Sequence, residues 1–233
     1  MPTGISAPSM DNGVYQAFTS ALEDFQSPND NTPNPSTPKP STPKPVEASK
    51  EAQEMYEFAM KSIIEKSGGT REQWEEIMRK SAFHEAGPTM SPTIKQVAKG
   101  GKEGPGRGLY QYEVDKSADG IVGSNAGKTA VIRALNIYAE KGIEPPAFLK
   151  QSLKDGVVEF DKLSPTAQSA LFLLDKLGSK GVSKNMLLGD KSLAQFMADW
   201  HYIGPKEQRP DYVQKFLASA AAYEAEKKAP KKK

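Results

Sequence analysis

The chain has 233 residues, 31 basic against 29 acidic, and no cysteine. That length fits one domain of ordinary size plus extra segments, and a formal charge of +2 supplies no strong field for nucleic acid. The missing cysteine excludes disulfide scaffolds, thiol nucleophiles and thiolate zinc sites, and favours neither redox compartment.

The opening Met1-Pro2-Thr3-Gly4 lacks a basic stretch followed by an apolar one, so it does not read as a signal peptide. Action outside the cytoplasm would then need another means of delivery. Positions Val14, Tyr15, Ala17, Phe18, Ala21, Leu22 and Phe25 have the spacing of a short amphipathic helix. A docking peptide and a stray helical turn in a disordered arm both fit. Seven prolines fall between Pro28 and Pro45, and Ser-Thr-Pro-Lys-Pro occurs twice in succession, at 36–40 and 41–45. Such a segment favours extended polyproline geometry and buries little apolar surface, so residues 1–46 read as a flexible arm and linker.

From residue 47 the pattern turns helical. Met55, Phe58, Ala59 and Ile63 predict a helix over about 48–66. Gly68-Gly69 breaks it, and Thr70 with Gln73 forms a capping-box signature for a second helix from Arg71 to about Glu85, with Trp74, Ile77, Met78 and Ala82 inward. Residues 87–123 are glycine-rich and irregular, with Leu109 to Val114 a short strand or buried turn. A loop of that length in a compact domain is often functional. Further helices are predicted from Asn125 (Val131, Leu135, Tyr138), after Pro145-Pro146 (Phe148, Leu149) and from Ser164-Pro165 to Gly178. Two more follow, through Leu193, Phe196, Met197 and Trp200, and from near Pro210 (Val213, Phe216, Leu217, Ala220). The fold class is therefore mainly α, a domain over 47–226, followed by a basic tail over 227–233. No apolar run reaches the ~20 residues of a membrane helix.

Glu85 lies four residues beyond Ser81 and eight beyond Ile77, near the inward stripe of its helix. A carboxyl beside an apolar face and at a helix C-terminus has its anion disfavoured, which raises its pKa toward the range of a general acid. On spacing alone, an exposed helix-end glutamate fits as well. Two segments together add to this: His84-Glu85-Ala86-Gly87, then Gly106-Arg107-Gly108-Leu109-Tyr110-Gln111-Tyr112-Glu113. The pair, in this order, resembles the lysozyme-like superfamily, in particular soluble lytic transglycosylases, goose-type lysozymes and their phage virion-associated members.

The resemblance implies a lysozyme-like helical domain with the short irregular or β segment lining a cleft. It implies cleavage of the β-1,4 bond between N-acetylmuramic acid and N-acetylglucosamine in bacterial peptidoglycan. Glu85 matches the catalytic glutamate. Gly108, Leu109 and Gln111 match the cleft floor, with Tyr110 in place of the usual methionine. Gln111 would bond the sugar or position the glutamate, and His84 is a cleft-side candidate. Glu113 matches an acidic position proposed to place water in goose-type enzymes; a structural ion pair is the alternative. The late segment Trp200-His201-Tyr202-Ile203-Gly204-Pro205 is similar to a cleft-lining motif but lacks its asparagine, which leaves Trp200 and Tyr202 as sugar-stacking candidates and Trp200 also as a core candidate.

A lytic transglycosylase needs Glu85 alone, as acid and then base, and yields a 1,6-anhydro sugar. A muramidase would need help from Glu113 or Asp115. Delivery in a phage particle for genome ejection, acting in the periplasm or wall after synthesis in the host cytoplasm, is the implied setting. Other virion proteins are the expected partners of the N-terminal arm. A structural virion protein with a vestigial fold and a non-catalytic glycan-binding module are the competing classes.

Three other signals fail. Gly123 to Thr129 resembles a phosphate loop, but the first glycine is replaced by Val122. His84-Glu85 has Pro88 where a zinc motif needs a second histidine, and the only other histidine is His201. No metal or cofactor is expected. Gly104 to Gly108 reads as a tight turn rather than an anion cradle, with Arg107 a partner for Glu113 or for a peptidoglycan carboxylate.

Overall fold

Ser49 accepts the Ala52 backbone N–H at 3.2 Å and so starts α1, Lys50–Ser67. The structure, a computed structural model, describes residues 49–154, 160–178, 183–202 and 204–229. The expected linker and the amphipathic segment around Val14 lie outside the described residues. Gly68 and Gly69 take φ of 77° and 84°, a region that strains other residues, and turn the chain into α2, Arg71–Ala86. Thr70 and Gln73 form the expected capping box, with bonds of 3.3 and 2.8 Å. The indole of the buried Trp74 donates to the Gly68 carbonyl at 2.9 Å and fixes the angle between the two helices.

The segment expected as largely irregular folds into a three-stranded antiparallel sheet: β1 (Lys95–Val97), β2 (Glu103–Arg107) and β3 (Tyr112–Glu113), in that order. The β1–β2 register slips between Lys95 and Val97, and Gln96 lies over the glycines there. Its side-chain oxygen accepts the Gly106 N–H at 3.1 Å. The slip lies beside Pro105, whose missing N–H a regular middle strand tolerates poorly. Leu109 and Tyr110 belong to the turn between β2 and β3.

Five helices follow: α3 (Ala126–Glu140), α4 (Ala147–Lys154), α5 (Pro165–Leu177), α6 (Asp190–Trp200) and α7 (Arg209–Lys228). Asn125 precedes α3 in the left-handed region (φ 58°) and makes no side-chain cap bond, so it turns the chain into the helix without capping it. Gly127 packs against the Phe160 ring, where a Cβ would come within 2.8 Å. That accounts for the small residue in the phosphate-loop look-alike. Ser164 caps α5 through the Ala167 N–H, with Pro165 in the first turn. The basic run begins inside α7, where Lys227 donates to Glu76 of α2 at 3.1 Å.

Helix α5 is apolar around most of its circumference. Ala170, Leu171, Phe172, Leu173 and Leu174 are all fully buried, as expected of a helix enclosed on every side. Each large side chain of this set contributes roughly 1.5–3 kcal/mol by leaving water. Helices α1 and α3 pack on it, while α7 packs on α2 and α6. Lys80 ties these last three together, reaching Asp190 at 2.9 Å and Glu224 at 3.0 Å. The domain is mainly α-helical with one small open sheet. Among the described residues, no helix is long and apolar enough to cross a membrane.

Candidate active site

Glu85 occupies the last turn of α2, ahead of Gly87 at φ 73°. Its side chain is 15 % exposed. The Tyr212 hydroxyl, from the start of α7, donates to Glu85 Oε1 at 2.5 Å. His201 Nε2, just past α6, lies 3.8 Å from the same oxygen. Burial pushes the Glu85 pKa up to about 7. The Tyr212 bond and the Lys176 charge oppose that rise, and the charge on Glu113 adds to it.

The His201 imidazole has a fixed proton arrangement. Nδ1 lies 3.1 Å from the Lys176 ammonium, which can only donate, so Nδ1 accepts. Nε2 therefore carries the hydrogen and donates to the Tyr110 carbonyl at 2.8 Å. Burial and the Lys176 charge drive the His201 pKa down to about 3, so the ring is neutral in ordinary buffers. Lys176, 1 % exposed, also donates to Asp175 at 2.8 Å. Asp175 accepts from Tyr112 at 2.9 Å and from Arg133 at 2.6 Å. Burial alone would raise its carboxyl, but the Lys176 and Arg133 charges outweigh that and hold it down at about 2.

Glu113 lies on β3 with its carboxylate capped by the Ser124 N–H at 2.7 Å. Burial raises its pKa and the Ser124 contacts pull it back. It makes no pair with Arg107, contrary to that expectation. Arg107 is buried and committed to its own strand, to Glu103 at 2.5 Å and to the Gly104 and Gly106 carbonyls. Asp115 is exposed on the turn that follows.

The remaining candidates separate. Gln111 (φ 46°) donates to the Gly108 carbonyl at 2.8 Å and closes its own turn. Gly108, at φ 69°, abuts Gln168, whose Oε1 would lie 2.3 Å from a Cβ there. Gln168 is fully buried and takes the Leu109 N–H at 2.7 Å while donating to Pro92 and Leu163. The Tyr110 ring is 2 % exposed and stacks on Phe172 at 4.3 Å. Leu109 and Tyr110 line a cavity of about 330 Å³, bounded also by Tyr56, Met78, Ala82 and Met90, whose lining does not include Glu85.

His84 sits against the same Tyr212 but packs on α7 and makes no bond to Glu85's partners. Its ring packs on Tyr212 and Phe216, and Nδ1 lies 3.1 Å from the Ser219 hydroxyl. Burial and the Lys215 charge bring its pKa to about 4, so it is a neutral packing residue between α2 and α7. Tyr202 packs tilted against Tyr212, with ring centroids 4.8 Å apart, and donates to Gln208 at 2.8 Å. Trp200 is 41 % exposed and leans on Phe196.

The structure thus gathers Glu85 and Glu113 into one electrostatic neighbourhood, with Tyr202 one layer back. It adds Tyr212, His201, Lys176 and Asp175, which sequence reasoning did not single out. One signal was available: Asp175-Lys176 directly follows the apolar run Ala170 to Leu174 within one helix. Among the described residues, no group of three or more His, Asp or Glu side chains is arranged to hold a metal ion. Comparison of the chain with protein-family models, with curated proteins and with solved structures finds no match.

Proposed function

We propose that this protein cleaves the β-1,4 bond between N-acetylmuramic acid and N-acetylglucosamine in bacterial peptidoglycan, by a lytic transglycosylase mechanism with Glu85 as general acid and then base. The observation that carries the reading is the Glu85 carboxyl itself. It is a largely buried acid at a helix end, partly open to solvent, with its pKa raised to about 7. Such a group holds a proton to give to the leaving oxygen and, once ionised, can take one back. The sugar's own C6 hydroxyl would attack the oxocarbenium-like centre as Glu85 removes its proton, closing a 1,6-anhydro ring.

A second reading, hydrolysis by water, has one specific observation in its favour: the negative charge of Glu113 is felt at Glu85. On the resemblance of the Glu85 and Gly108–Gln111 segments to the lysozyme-like superfamily, the setting we propose is a phage particle that opens the wall during genome ejection. Its N-terminal arm would contact other virion proteins.

Glu85→Gln tests the assignment. The variant should lose clearing of purified peptidoglycan and keep a helical circular-dichroism spectrum. Undiminished cleavage by the folded variant removes Glu85 from the chemistry.

A further inference from the structure

The buried cation at the centre of the domain is unaccounted for by acid–base work at Glu85 alone. Lys176 lies on α5, within the most enclosed helix, and is 1 % exposed. Taking an ammonium out of water costs several kcal/mol, so its place in the fold needs compensation. Asp175 supplies part, at 2.8 Å. The Tyr112 and Phe172 rings supply more, with the nitrogen 5.8 and 5.2 Å from their centroids. Of its three N–H donors, Asp175 takes one. The ammonium also contacts His201 Nδ1, and the opposite nitrogen of that ring faces Glu85 Oε1.

We propose that Lys176 is a positioning residue for Glu85: its ammonium, clamped by Asp175, orients the His201 imidazole and supplies the positive charge that opposes retention of the proton on the carboxyl. The inference rests on Glu85 being the acid of the proposed reaction. Each element packed around the carboxyl contributes a named group. Helix α7 brings Tyr212, the end of α6 brings His201, α5 brings Lys176, and β3 brings Glu113. Tyr212 and Lys176 favour the anion. Burial and Glu113 favour the proton. The ring between Lys176 and Glu85 is neutral, and its Nε2–H is spent on the Tyr110 carbonyl with Glu85 Oε1 3.8 Å away, so the ammonium imposes one ring orientation and its field crosses a group that adds no charge. Arg133 holds the far oxygen of Asp175, which keeps the Asp175 carboxylate in place for Lys176.

The test is Lys176→Met in the full chain, with the Glu85 carboxyl followed by carbon-13 NMR through a pH titration and the pH profile of peptidoglycan cleavage measured in parallel. The Glu85 midpoint should rise by about one pH unit or more, and the alkaline limb of the profile should move with it. Lys176→Arg should return both toward wild type. If Lys176→Met does not fold, Lys176→Gln removes the charge while keeping an N–H donor for Asp175 and is read the same way. A folded variant with the Glu85 midpoint unmoved, and activity lowered equally at every pH, overturns the proposal. The carboxyl titration needs no substrate. A wild-type protein that leaves peptidoglycan intact would therefore sink the proposed reaction while the midpoint still decides the Lys176 coupling.

Discussion

Tyr212 Oη donates to Glu85 Oε1 at 2.5 Å, joining residues 127 positions apart. A hydrogen bond to an ionised group stabilises by roughly 1.5–3 kcal/mol. Tyr212→Phe removes the donor and keeps the ring packing on Phe216 and Tyr202. The Glu85 pKa should then climb above about 7, moving the alkaline limb of the proposed peptidoglycan cleavage upward by about one to two pH units. The pH–rate profile of the variant reads this directly, and a limb that stays in place refutes the bond's role.

Glu85 also makes stability depend on pH, with a definite sign. Its carboxyl is raised from 4.5 to about 7 in the folded chain. The folded state therefore binds the extra proton between those values, and stability is lost as pH rises through them. Above the folded value the loss is on the order of 3 kcal/mol. Glu85→Gln should match wild type near pH 4.5 and be the more stable protein at pH 8. Melting temperatures at the two pH values check this; equal differences at both would contradict it.

The two histidines act in the opposite direction. His84 falls from 6.5 to about 4 and His201 to about 3, each mainly by burial. Folding holds them neutral, so the stability they leave intact at neutral pH is lost as pH drops below 6.5 toward those folded values. His84→Phe should blunt the acid-side fall in denaturation midpoint. An unchanged acid limb in the variant would mean that His84 does not titrate on unfolding.

Glu113 separates the two proposed outcomes of the reaction. Under the transglycosylase reading, Glu113→Gln retains cleavage within about tenfold, and its products carry 1,6-anhydro ends in mass spectrometry. Loss of the Glu113 charge should also lower the Glu85 pKa, because that charge raises it. A loss of about a hundredfold or more, with reducing-end products from wild type, assigns the protein to hydrolysis with Glu113 as a participant.

Gln168 is the brace of the β2–β3 turn. Its amide satisfies the Leu109 N–H and the Pro92 and Leu163 carbonyls. Gln168→Leu leaves three inward-facing polar groups without this partner, at about 1–3 kcal/mol for each group that remains unsatisfied. Urea denaturation should show a destabilisation of about 3 kcal/mol or more. A change under 1 kcal/mol would show that the turn holds itself together through Gln111 and Gly108.

Much of the helical frame was readable from residue order. Thr70 and Gln73, Ser164-Pro165 and the paired glycines at 68 and 69 are local signals, since the groups they satisfy lie within one turn. The sheet was not readable. Glu103-Gly104-Pro105-Gly106-Arg107 has no alternating apolar pattern, and its strand conformation depends on Gln96 covering the glycines and on β3 pairing alongside. At the candidate site, Glu85 was singled out from helix position and resemblance. Tyr212, His201 and Lys176 were not, because their contacts with one another and with Glu85 join distant parts of the chain. His84 was drawn in by adjacency to Glu85, yet neighbours on a helix point about 100° apart, and it faces Ser219.

Those long-range contacts carry a temporal consequence. During synthesis Glu85 leaves the ribosome well before His201, and Tyr212 follows later still. An unfinished chain that stops before Arg209 has α2 and the sheet segment but neither the hydroxyl nor the helix that closes over the carboxyl. Under the proposed activity, a host cell translating this message would accumulate inert fragments rather than partly active ones, and the wall-cutting capacity would appear only once α7 has been made.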